Sequence, residues 1–274
     1  MAIRLSLGKP HLGLRIRLRT LIAAIALFAV ALWAALSIWS PTRRLSRLVR
    51  AGQPTYVRRE AASALGHEIP FWEVDQAVHT LIEVCDDPSP RVREYAAVGL
   101  AQLGTKADPG ILKLMVLLND EDRFVRYSAA AALGRIVRPQ TEQSSKVAEA
   151  LAPLLEDPDP DVQLTAAEAL CRMGRIDEAI GTLVSACASP EKTRRDRARM
   201  IMTQPGTDRG PFIACLIPEL RQKDQAKRRG AFQTLMLIAG PEEIHSALRG
   251  ALDSGDPAVR QWAAQELKRI ASPP

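Results

Sequence analysis

The chain has 274 residues, of which 47 % are hydrophobic but only 4 % aromatic. That is apolar mass for a large aliphatic core, in a composition that favours helix. The formal net charge of +6 is uneven: residues 1–59 hold eleven Lys/Arg and no acid, and the remainder balances to −5, which argues against a generally basic nucleic-acid binder.

Residues 1–20 read as a short basic tail. From Leu21 to Trp39 the only polar residue is Ser37. A helix of that length reaches about 28 Å, close to the ~30 Å hydrocarbon core of a bilayer. The run therefore predicts a transmembrane helix and a single-pass membrane localisation. A cleaved signal peptide is the alternative, because Ala29-Val30-Ala31 offers a small-x-small site. Basic residues flank both ends of the run almost equally, so charge does not fix the orientation. A short tail that stays inside leans the body toward the extracytoplasmic side, whereas unpaired thiols suit a reducing compartment.

Residues 42–272 carry an internal repeat. The segment Val92-Arg93-Glu94-Tyr95-Ala96-Ala97 returns as Val125-Arg126-Tyr127-Ser128-Ala129-Ala130. With its first residue as anchor there are seven copies: Val57, Val92, Val125, Val162, Arg194, Lys227 and Val259. Four residues after each anchor stands alanine, from Ala61 to Ala263, and eight after it Leu or Met. These positions share one face of a helix, called B. Eleven and seven before the anchor, Leu81/Cys85, Leu114/Leu118, Leu151/Leu155, Leu183/Cys187, Leu216/Leu220 and Leu248/Leu252 share a face of an earlier helix, A. Asp/Pro/Ser-rich turns such as Asp157-Pro158-Asp159-Pro160 separate A from B. Gly66, Gly104, Gly174, Gly206 and Gly240 follow B as expected stops. The first helix A is expected over Arg43–Ala51, and the longest repeat is expected to place an inserted loop at Pro139–Ser145.

One residue past the anchor runs a column of Arg58, Arg93, Arg126, Gln163, Arg195, Arg228 and Arg260. Its expected role is structural: each guanidinium pairs with a turn aspartate, such as Asp87, Asp120, Asp157 or Asp256. All four cysteines, Cys85, Cys171, Cys187 and Cys215, lack a C-x-x-C spacing. They are expected to be small buried hydrophobes and not a metal or disulfide set. Repeats five and six gather Lys192, Arg194, Arg195, Arg197, Arg199, Lys223, Lys227, Arg228 and Arg229, offset in part by Asp196 and Asp224. This cluster is the candidate partner-binding patch, suited to an acidic segment of a protein or to lipid headgroups. A solvated helix face is the alternative. Nucleic acid is not expected there, since no aromatics offer a stacking platform.

The pattern Val-Arg-x-x-Ala-Ala-x-Ala-Leu-Gly resembles HEAT repeats, in particular the short HEAT-like class of phycobilisome lyases. The resemblance implies an all-α, right-handed α-solenoid of about seven helix pairs that serves as a protein-binding scaffold, with no cofactor and no catalysis. Deoxyhypusine hydroxylases share the repeat and place His-Glu pairs two and three residues after the anchor. Those positions here hold Arg59-Glu60, Glu94-Tyr95, Tyr127-Ser128, Leu164-Thr165, Asp196-Arg197, Arg229-Gly230 and Gln261-Trp262. The only His-Glu pair, His67-Glu68, lies beyond the glycine. An iron site is therefore not expected and no bilin-lyase motif is matched; an enzyme or cofactor role of the lyase or hydroxylase kind, and a basic-groove nucleic-acid binder, are the alternatives to a scaffold.

Overall fold

The computed structural model describes residues 2–5, 14–17, 22, 25–30, 40–50 and 52–271. In the basic tail, β1 (Ala2–Leu5) and β2 (Leu14–Arg17) pair antiparallel, with Ile3 opposite Ile16 and Leu5 opposite Leu14. Both segments alternate apolar and basic residues, the period of a strand. The sequence reading had no strand here.

The expected transmembrane helix and single-pass membrane localisation are corrected. Among the described residues no helix is long and apolar enough to cross a membrane. Within Leu21–Trp39, residues 25–30 are helical with exposed side chains. Apart from Ile22, the rest of the run lies outside the described residues.

Fourteen α-helices follow among the described residues, in seven A–B pairs. They are α1 (Pro41–Leu48) with α2 (Thr55–His67), α3 (Val74–Val84) with α4 (Pro90–Leu103), and α5 (Ile111–Leu117) with α6 (Arg123–Ile136). Next come α7 (Glu142–Leu151) with α8 (Pro160–Arg172), and α9 (Ile176–Cys187) with α10 (Lys192–Met202). The last pairs are α11 (Gly210–Glu219) with α12 (Gln225–Ile238), and α13 (Pro241–Leu252) with α14 (Pro257–Ala271). Ser40 caps α1 and Pro41 opens it, with Ser40 Oγ accepting from Arg43 N. The long fourth repeat holds only a short turn at Pro139–Gln140. Its extra residues extend helix A as a 3-10 turn, Ala152–Glu156.

The repeat columns form the core. Every alanine of the +4 column is buried, and so are the +8 residues through Leu235, with Leu267 half-buried at the end of the array. The helix-A leucines Leu81, Leu114, Leu151, Leu183, Leu216 and Leu248 are fully buried. Each contributes roughly 2 kcal/mol of burial, and neighbouring pairs share one continuous cluster. Turn aspartates start the B helices: Asp122, Asp159 and Asp224 accept from backbone N–H groups of α6, α8 and α12.

Helix B packs on helix B through a second small-residue column. A Cβ on Gly66 would come within 2.7 Å of Gly99 Cα, and one on Gly134 within 2.9 Å of Ala169 Cα. These residues stand nine and seven positions after their anchors. Ala101 and Ala132 occupy the same registers between them. Backbones therefore approach closely along α2, α4, α6 and α8. From the fourth repeat the registers hold Cys171, Ile201, Thr203 and Thr234, the helix-B row loosens, and α9 packs on α11 instead.

Candidate partner-binding surface

The arginine column organises the surface beside the turns. Arg58 donates from Nε and Nη2 to both oxygens of Asp87, at 2.8 and 2.9 Å. Arg93 holds Asp120 in the same way at 2.7 and 2.8 Å, and Arg126 holds Asp157 at 2.7 and 2.9 Å. Each aspartate stands five residues before the anchor of the next repeat, so each fork joins two repeats. The third nitrogen, Nη1, donates to carbonyls of the arginine's own turn, as from Arg93 to Asp87 O at 2.9 Å. The pairs are well formed because planar forks match carboxylates. The Asp partners raise the already high pKa of all three arginines. Burial, the largest single influence, pushes the Asp120 carboxyl up, but the Arg93 hydrogen bond, the Asp122 backbone N–H and the charges of Arg93 and Arg126 together outweigh it and hold the group below its ordinary range.

Beyond the third repeat this ladder stops. Five residues before the last three anchors stand Ser189, Gln222 and Ser254. Gln163 replaces arginine and keeps only the link to its own turn, from Nε2 to Asp157 O at 2.7 Å. Asp256, expected as an arginine partner, caps α14 by accepting from Ala258 N at 2.8 Å, and Arg260 donates to Ser254 O. It lies three residues before its anchor, out of the ladder's register.

The structure divides the nine patch residues into two groups. Four have acidic neighbours. Lys192 lies 3.4 Å from Asp196, and Arg194 3.2 Å from Glu191 with its Nε buried and unpartnered. Arg197 donates to Thr165 Oγ1 at 2.8 Å, lies 3.5 Å from Glu168 and covers the Tyr127 ring. Arg199 donates to Gln233 Oε1 at 2.9 Å and to Thr234 Oγ1 at 3.2 Å, with Asp196 at 3.8 Å. The other five, Arg195, Lys223, Lys227, Arg228 and Arg229, have no carboxylate within ion-pair distance among the described residues. Arg228 is buried, donates to Gln222 O at 2.8 Å and stacks over Trp262. Lys223, Lys227 and Arg229 are exposed.

Arg195 and Arg229 line one cleft of about 380 Å³ between α10 and α12, with Ser189, Ala226 and Gln233, and no acidic side chain borders it. Exposed Met200, Met236 and Leu237 lie on these same two helices. Sequence reading missed both the cleft and the apolar residues. The signal was available in the column five before the anchor, where acid gives way to Ser189 and Gln222. A neighbouring groove of about 270 Å³ runs over α4, α6 and α8, bordered by Tyr127, Arg135, Glu168 and Arg172. Its Tyr127 ring is occupied, with Arg197 5.3 Å from the centroid, and in the adjoining pocket Arg91 and Arg123 each lie 4.5 Å from the Phe124 centroid.

Among the described residues no group of His, Cys, Asp and Glu converges as metal ligands. Burial pushes the thiols of Cys85 and Cys171 up to about 12 and raises that of Cys187. Cys215, expected inside, is exposed, because α11 turns that side outward beside fully buried Leu216.

A family model described as HEAT repeats matches residues 42–134 and 111–202, together more than half of the chain. Curated proteins give no match. Among solved structures, an engineered protein is 21 % identical with a TM-score of 0.49, over 84 % of this chain and 96 % of its own. The complex of CpcE and CpcF of phycocyanin lyase from Nostoc sp. PCC7120 is 20 % identical, with a TM-score of 0.49 over 84 % of this chain and 94 % of the other. Human deoxyhypusine hydroxylase is 18 % identical, with a TM-score of 0.42 over 83 % and 94 %. At these identities the likeness says nothing about activity.

Proposed function

The chain belongs to the HEAT-repeat family, and we propose that it works as a non-catalytic scaffold whose fifth and sixth repeats hold an acidic segment of a protein partner. One observation carries this reading. Five cations there lack carboxylate partners, three of them exposed, in an array whose earlier arginines are held by turn aspartates. Unneutralised cations grouped on a fixed surface attract an anionic segment and orient it. Met200, Met236 and Leu237, exposed on the same two helices, are available for apolar contact with the partner. Nucleic acid is the weaker reading, because the aromatic residues of repeats five and six, Phe212 and Phe232, are buried and offer no platform for bases beside these cations.

The test is fluorescence anisotropy of a fluorescein-labelled decaglutamate peptide titrated with the whole chain at low and physiological salt. Binding should weaken as salt rises. Reversal at Lys223, Lys227 and Arg229 together should abolish it while the helical circular dichroism stays intact, because those side chains are exposed and make no ion pair among the described residues. Equal affinity for the reversed and natural chains would remove the proposal.

A further inference from the structure

The arginine column contains its own controls. In Arg58, Arg93 and Arg126 the Nη1 side is fixed by carbonyls of the arginine's own turn, while the Nε/Nη2 edge clamps an aspartate of the next. Arg195 keeps the first half of this arrangement. Its Nη1 donates to Ser189 O at 2.7 Å and Pro190 O at 2.8 Å. The second half is missing. The next turn offers Gln222, which is exposed and makes no side-chain hydrogen bond to Arg195. The guanidinium is thus anchored as it is where a carboxylate is clamped, and its clamping edge has no internal partner among the described residues. Arg229 borders the same cleft, which has room for a carboxylate and its carbon stem. Arg228 repeats the pattern against Ser254, but it is buried and lies over Trp262, so it is the less accessible of the two.

We infer that the Nε/Nη2 edge of Arg195 is a carboxylate clamp for an aspartate or glutamate side chain of the partner's acidic segment, with Arg229 as the second cation of the cleft. This rests on the reading of repeats five and six as an acidic-segment surface and narrows it to one fork. The missing turn aspartate leaves the position open to a carboxylate from another chain. Three copies of the same fork in this molecule show the geometry it takes.

Two variants of the whole chain test it with the labelled decaglutamate peptide. Arg195→Lys keeps the charge but loses the planar pair of donors, and should weaken binding about tenfold. Gln222→Asp places a carboxylate where Asp87, Asp120 and Asp157 sit in their repeats. It should fill the fork from within and also weaken binding about tenfold, with no cation removed. Suppose either variant binds within about twofold of the natural chain while reversal at Lys223, Lys227 and Arg229 still abolishes binding. The clamp is then wrong and the broader surface stands. Absence of peptide binding by the natural chain overturns both.

Discussion

Asp120 shows how much one side chain does in this array. Its carboxylate accepts from Arg93 Nε and Nη2 and from the backbone N of Asp122 at 3.0 Å, so it fastens the second repeat to the third and shapes its own turn. Because its native pKa lies below the unfolded value of about 3.9, the stability it supplies is complete above that value and disappears as pH falls through the lower native one. Asp120→Asn should therefore cost roughly 3 kcal/mol at neutral pH, where it leaves Arg93, with 13 % side-chain exposure, only the solvent-exposed Glu121 at 4.0 Å as counter-charge. It should also flatten the acid limb of stability against pH. Urea midpoints of both chains from neutral pH down to about pH 3 decide it, and parallel curves would show that the pair contributes nothing. The Asp–Arg link was legible in the sequence, since a charged residue at fixed distance from each anchor must meet the same neighbour in every repeat. What the column did not show was which acid in a turn is the partner. Position −5 pairs and position −3 caps, which is why Asp256 was misassigned. The exposure of Cys215 was equally hidden, because no column of the repeat passes through it.

Among the helices, glycines divide into those that permit contact and those that only weaken a helix. Gly66 reads in sequence as a stop signal, yet it lies inside α2 against Gly99. Period alone separates neither role, since the close approach is made by a residue on another helix. Gly230 of α12 is the sharpest case: an added Cβ would stand 2.3 Å from Cys187 O, and the carbonyl cannot turn away without disturbing the end of α9. Gly181, within α9, has no atom within 4 Å of such a Cβ. Opposite outcomes follow. Gly230→Ala should destabilise by about 1–3 kcal/mol through overpacking, and Gly181→Ala should stabilise by about 0.5–1 kcal/mol through helix propensity. Thermal unfolding followed by circular dichroism measures both, and a shift of the same sign in the two would contradict the packing described. The β1–β2 pair was not read from the sequence, since four-residue segments are too short for alternation to stand out. Two strands alone make a marginal unit.

Across the whole molecule, three departures fall at the junction of the fourth and fifth repeats. The Asp–Arg link is absent, with Gln163 opposite Ser189. The small helix-B registers become Cys171 and Ile201. Arg194 replaces the valine anchor, its Nε buried without a partner, beside a cavity of about 360 Å³ that also borders Leu164 and Gly181. In a linear array, stability is a sum of repeats and nearest-neighbour interfaces, so a weak interface divides the molecule into segments that open separately. Hydrogen exchange should therefore show lower opening free energies for α10, α12 and α14 than for α4 and α6, with the step located between α8 and α10. A looser second half is also where a binding surface is tolerated, because Arg195 and Arg229 are free of the interface work done by Arg93 and Arg126. Rebuilding the link with Gln163→Arg and Ser189→Asp together should raise protection in α10 and α12 by roughly 1 kcal/mol. Gln163→Arg alone should add nothing, since its fork would have no acid to hold. Uniform protection along the natural array, or equal gains from the single and double variants, would mean that this junction is not a boundary.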